Sequence, residues 1–239
     1  MDNENGTRMG FIEHLEELRS RMIKCLMTVF VFSCVSYLFV MQILGYAIKP
    51  VGKVVFLSPQ EAFFSYFILA FFIGLFLSSP VIIFQIWRFV STGLLKQERK
   101  FLLIYGFISF LLFVVGIIFA FFLILPVGVK FLLSFGTDFL QPMISVSRYI
   151  SFVGMVLLGF GIVFQLPIVI LFLTQVGWVS TLTIRRNRKY AILLIFITSA
   201  VMTPSPDVLS QLLMAGPLLL LLEISIWLAV LLEWRRRKR

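Results

Sequence analysis

The chain has 239 residues, of which 60% are hydrophobic and 13% charged, against roughly half apolar and a quarter charged in soluble domains. One membrane domain, 1–239, accounts for that length and leaves no room for a separate soluble domain. The formal net charge of +10 would point to nucleic acid in a soluble protein, but here the basic residues sit between apolar runs, so they read as topology and lipid-surface charge, with no nucleic-acid partner.

The chain opens on an amphipathic segment at 8–21. Phe11, Leu15, Leu18 and Met22 recur at helical spacing as one apolar stripe, while Glu13, Glu17 and Arg21 line up on another face. Two readings fit this pattern: a membrane-surface helix with internal ion pairs, or an acidic site held against the membrane. These first residues are polar, without the short apolar core of a cleavable signal peptide.

A bilayer-spanning helix needs roughly 20 apolar residues. The runs at about 22–46, 63–87, 101–125 and 149–173 meet that length, as does the run at about 208–232. The run at 190–203 is shorter, about 21 Å against a hydrocarbon core of about 30 Å. The last two runs therefore form either a re-entrant hairpin or two spans in a locally thinned bilayer, and the second reading is preferred because the Thr203–Asp207 turn carries no basic residue. The expected fold class is an all-α integral membrane protein with six transmembrane helices, the last two short. With both termini in the cytosol, 17 of the 21 lysines and arginines fall on that side and only Lys49, Lys53, Lys130 and Arg148 fall outside. Cys25 and Cys34 lie about 13 Å apart along one helix, too far for a mutual disulfide. In the loop before the fourth run, Phe131–Phe135 suggests a short interfacial helix.

Few residues can carry chemistry. There is no phosphate-binding loop or dinucleotide fingerprint. The only histidine, His14, has no nucleophile beside it, and no paired acids sit mid-span. Two cysteines and one histidine do not make a zinc site. The reading is a non-enzyme without catalytic residues, metal or cofactor. Glu98 is the only acid in the loop 88–100, and its carboxylate can accept a bidentate guanidinium. Gln165 lies inside an apolar run beside Pro167, which is expected to kink the helix. It is either interhelical glue or a polar spot in a cavity. Asp207 can cap the last helix, but capping does not explain Gln211, one turn further in. Glu223, deeper in that run, is placed to pair with a basic residue if the membrane is thin there.

Several stretches together, in this order, resemble one family. They are His14 through Arg21, Ser58-Pro59-Gln60-Glu61-Ala62-Phe63, Pro80 through Gln85 with Trp87 and Phe89, Lys96-Gln97-Glu98-Arg99, Phe160-Gly161 with Phe164-Gln165-Leu166-Pro167, and Thr203-Pro204 with Asp207, Ser210 and Gln211. The chain resembles TatC, the multi-spanning subunit of the twin-arginine (Sec-independent) protein translocase, over nearly its whole length. The resemblance implies a core receptor that binds twin-arginine signal peptides and helps move folded proteins across the membrane using the proton-motive force. It implies a signal-peptide site at Glu17, Glu98, Arg19, Arg21 and Phe89, an intramembrane polar position at Gln165, and outer-end positions for function or partner contact at Asp207 and Gln211. The implied partners are single-span TatA/TatB-type subunits, twin-arginine cargo proteins, other copies of the chain and membrane lipids. The implied location is the cell inner (plasma) membrane, or an organelle inner membrane (mitochondrial or thylakoid) for an organelle-encoded chain. The alternative is a small-solute or ion secondary transporter, which calls for a midplane site with paired charges.

Overall fold

In hydrocarbon every backbone N–H and C=O must find its partner within the protein, so an apolar chain of this length folds as helices. The computed structural model describes residues 11–92, 102–134, 143–203 and 208–237. They form ten α-helices, and among the described residues there is no β-strand, only an isolated bridge between Val55 and Ser145.

Helix α1 spans Phe11–Tyr37 without interruption, so the amphipathic segment and the first apolar run are one rod. At Leu38–Phe39 the chain turns and α2 (Val40–Ala47) leaves at 84°. The helix expected through residue 46 is thus divided. Burial explains the bend: by turning, α2 packs Val40 into a cluster with Leu69, Val146 and Ile150 across the end of the bundle.

Helix α3 (Pro59–Thr92) returns antiparallel to α1. Pro59 suits its first turn, where a missing N–H costs nothing. Ser58 Oγ accepts from Glu61 N at 3.3 Å, while Glu61 Oε2 accepts from Leu57 N at 2.7 Å, a variant of the capping box. Helix α4 (Leu102–Phe119) passes through a π-helical turn, Ala120–Ile124, into α5 (Leu125–Leu133). Pro126 is the cause: it has no N–H for the Phe122 carbonyl, and the wider turn takes up the lost bond. The third run therefore continues to Leu133, and Phe131–Leu133, expected in an interfacial helix, end this span instead.

Helices α6 (Val146–Val163) and α7 (Leu166–Val176) are one span broken at Phe164–Gln165, where Pro167 was expected to kink it. Gly177, at φ 82°, ends α7 in the left-handed conformation that glycine adopts without strain. Short α8 (Thr181–Arg186), capped by Ser180, leads to α9 (Arg188–Met202) and then to α10 (Val208–Arg237).

The main core gathers side chains from the π turn, α5, α6 and α10. Ala120, Val156, Phe160, Ala215 and Leu218 are fully buried there. Outside it the protein is apolar: Phe30, Phe107, Phe122 and Leu220 all face outward. Only 33–44% of each candidate span's apolar window is buried, so the larger part needs an apolar solvent. Four helical stretches among the described residues are long and apolar enough to cross a bilayer, and a fifth qualifies if α1 and α2 count together.

Candidate functional site

The N-terminal end of α1 and the C-terminal end of α3 meet in a polar cluster. Residues 14, 17 and 21 lie on one face of α1, and 85 and 89 on one face of α3. Arg21 Nε donates to Glu17 Oε1 at 3.0 Å, and Arg21 Nη2 closes the ion pair on the same oxygen. Arg21 Nη1 donates to Gln85 Oε1 at 3.0 Å. Both charged side chains are largely buried, at 12% and 17% exposure. Beside them the His14 ring stacks on Phe89, 4.4 Å between centroids.

One atom in this cluster lacks a partner. Glu17 Oε2 is buried without a hydrogen bond among the described residues. A buried acceptor left unmade costs on the order of 1–3 kcal/mol. Arg21 covers one carboxylate oxygen, and the second is buried with its acceptor capacity unused.

Of the residues expected here, Glu17, Arg21 and Phe89 are brought together. Arg19 is exposed on α1 and outside the cluster. Glu98 lies outside the described residues. Gln85 and His14 were not foreseen as members. For Gln85, the available signal was a strong polar residue in an apolar helix, four positions before Phe89.

Deeper in the bundle Gln165 is engaged. Its Nε2 donates to the Ser109 carbonyl of α4 at 3.0 Å. Ser109 Oγ in turn accepts from Trp87 Nε1 at 2.8 Å, and Trp87 stacks on Tyr105. A chain of polar contacts thus links α3, α4 and the break between α6 and α7. At the far end Gln211 Nε2 donates to the Phe196 carbonyl at 3.0 Å, and Ser199 Oγ donates to the Gln211 carbonyl at 2.7 Å. Gln211 therefore ties α10 to α9. Asp207 lies outside the described residues.

A further network, unassigned in the sequence, closes that same end. Glu61 Oε1 accepts from Ser145 Oγ and, at 3.2 Å, from Ser147 N. Val55 N donates to the Ile144 carbonyl and Val146 N to the Val55 carbonyl, both at 2.9 Å. Tyr149 Oη reaches the Ala47 carbonyl at 2.9 Å. The loop after α2 is thereby fastened to the start of α6.

The chain matches the family described as Sec-independent protein translocase protein (TatC) over residues 13–217. It is 44% identical to the Sec-independent protein translocase protein TatC of Carboxydothermus hydrogenoformans, with 92% of this chain and 93% of that protein covered. It is 37% identical to the TatC of Aquifex aeolicus, covering 96% and 98% of the two chains. The crystal structure of the twin arginine translocase receptor TatC superposes with a TM-score of 0.83 at 36% identity, over 90% of this chain and 99% of that one. Fold, helix order and sequence agree over almost the full length: this chain belongs to the TatC family, the membrane-embedded, non-enzymatic subunit of the twin-arginine protein translocase.

Proposed function

We propose that this translocase subunit is the receptor for twin-arginine signal peptides, with Glu17 and Glu98 as the carboxylates that take the two arginines at the cytosolic rim. The observation that carries this reading is the buried oxygen of Glu17, between α1 and α3, that has no donor among the described residues. A guanidinium donates to a carboxylate through charge-assisted bonds about twice as strong as neutral ones. Two adjacent arginines call for two such acceptors, and Glu98, from the loop that follows α3, is the second. Arg19, Arg21 and Phe89 frame the site. The surrounding basic residues repel cationic segments of the wrong geometry, which adds specificity.

The same reading places six spans in the inner membrane with both termini cytosolic. Gln165 and Gln211 keep the later helices in register, and Asp207 and Gln211 form the outer-end contact for partners. TatA/TatB-type single-span subunits and further copies of this chain complete the complex, and the proton-motive force drives transport of folded cargo. A solute-transporter reading is not favoured, since the mid-bundle polar group, Gln165, is engaged by another helix.

Charge reversal tests the receptor role. Glu17→Lys and Glu98→Lys are each expected to abolish crosslinking to a twin-arginine signal peptide, at least a hundredfold, while both variants remain membrane-inserted. Unchanged crosslinking in both sinks the assignment.

A further inference from the structure

The junction of α8 and α9 carries charge that the receptor reading does not use. A cavity of about 580 Å³ opens there, lined by Leu182, Thr183, Arg186, Asn187, Lys189 and Tyr190. Arg186 and Lys189 are exposed, as is neighbouring Arg185. The nearby acids are engaged elsewhere: Glu223 pairs with Arg188, and Glu233 accepts from Thr181 Oγ1. No ion pair among the described residues involves Arg185, Arg186 or Lys189. The cavity thus offers a guanidinium fork, an ammonium and an Asn187 amide, and among the described residues no carboxylate lines it.

We propose that this cavity binds the phosphate of an anionic lipid headgroup. The chemistry of the lining selects a phosphate: arginine takes it bidentately and lysine as a point charge. The surroundings select a lipid over a soluble phosphate. Leu182 and Tyr190, 71% and 61% exposed, line the cavity beside the cations with the apolar and aromatic groups of a membrane interface. From Tyr190 the exposed residues Leu193, Leu194 and Ile197 continue along one face of α9, a track for an acyl chain running from the headgroup toward the bilayer interior. Lys189 Nζ lies 5.2 Å from the Tyr190 ring centroid, which keeps the cation at the top of that track.

The test uses the purified full-length chain in detergent, titrated with phosphatidylglycerol or phosphatidylcholine and read by native mass spectrometry. Each basic residue near an anionic surface is worth about fivefold in affinity. Arg186→Gln with Lys189→Gln should therefore weaken phosphatidylglycerol binding about 25-fold and leave phosphatidylcholine binding unchanged. The charge-keeping pair Arg186→Lys with Lys189→Arg should retain the affinity, as should Lys49→Gln with Lys53→Gln at the opposite end. Unchanged phosphatidylglycerol binding in the first double variant overturns the site. Displacement of the lipid by soluble glycerol phosphate at equal concentration overturns the lipid assignment.

Discussion

Arg21 holds Glu17 and is itself held by Gln85. The second bond decides what the first one does. An arginine alone beside a carboxylate takes both oxygens through its fork. With Nη1 fixed on Gln85, the guanidinium of Arg21 covers only Oε1, and Oε2 is left without a donor. Gln85→Leu removes that restraint without adding charge. The freed fork can then close over both oxygens, and signal-peptide affinity is expected to fall about tenfold, the equivalent of one hydrogen bond to a charged group. Gln85→Glu keeps an acceptor for Arg21 and should bind near the wild-type level. Fluorescence anisotropy of a labelled signal peptide measures both, and equal affinities for Leu and Glu variants would remove Gln85 from the site. Spacing made Glu17 and Arg21 legible in the sequence, since residues four apart on a helix must be neighbours. Gln85 is 64 positions from Arg21, and no local pattern announces which residues of two different helices will meet.

The pairing of α1 with α3 places those residues, and small side chains set how close the two helices come. A Cβ on Gly74 would fall against the side chain and backbone of Ser33. Because backbone atoms are involved, no rotamer change at Ser33 relieves the clash. Gly74→Leu should destabilise the protein by about 1–3 kcal/mol, the usual cost of overpacking. It should also separate Arg21 from Gln85, so that a disulfide engineered between the start of α1 and the end of α3 forms more slowly than in the parent. Normal disulfide formation in this variant would mean that the contact at Gly74 does not position the site. Helix boundaries show the same division between local and distant causes. Pro167 announces the break at Phe164–Gln165 because proline lacks the donor a helix needs. The 84° bend at Leu38–Phe39 has no proline or glycine to signal it. It arises from where α2 finds apolar surface, and that surface belongs to α3 and α6.

At the scale of the whole molecule, the short α9 and the long α10 report one thickness. Helix α9 has 15 residues, about 22 Å. Helix α10 has 30, about 45 Å, long enough for any bilayer. The two lengths are reconciled by the ion pair between Arg188, at the start of α9, and Glu223, midway along α10. Ionised side chains are costly in hydrocarbon, so the pair belongs near the membrane surface. From Val208 to Glu223, α10 covers about 24 Å, close to the length of α9. Hydropathy alone carries this last run on to residue 232, because a single acid inside an apolar stretch does not end it. Only the partner on α9 shows where the boundary falls. Both helices then ask for a hydrocarbon layer several ångströms thinner than the usual 30 Å. In nanodiscs of monounsaturated phosphatidylcholines from 14 to 22 carbons, melting temperature should peak at the shorter chains. Replacing the pair by Arg188→Leu with Glu223→Leu removes the polar boundary without leaving an unpaired charge, and lengthens the apolar surface of both helices toward their basic ends. The peak should then move to longer chains by about two carbons per leaflet, since each mismatched ångström costs only a fraction of a kcal/mol and the best-matched lipid wins by small sums. A peak that stays in place when the pair is removed would show that some other feature sets the thickness. A wild-type peak at the longest chains would show that the bilayer is not thinned around α9 and α10.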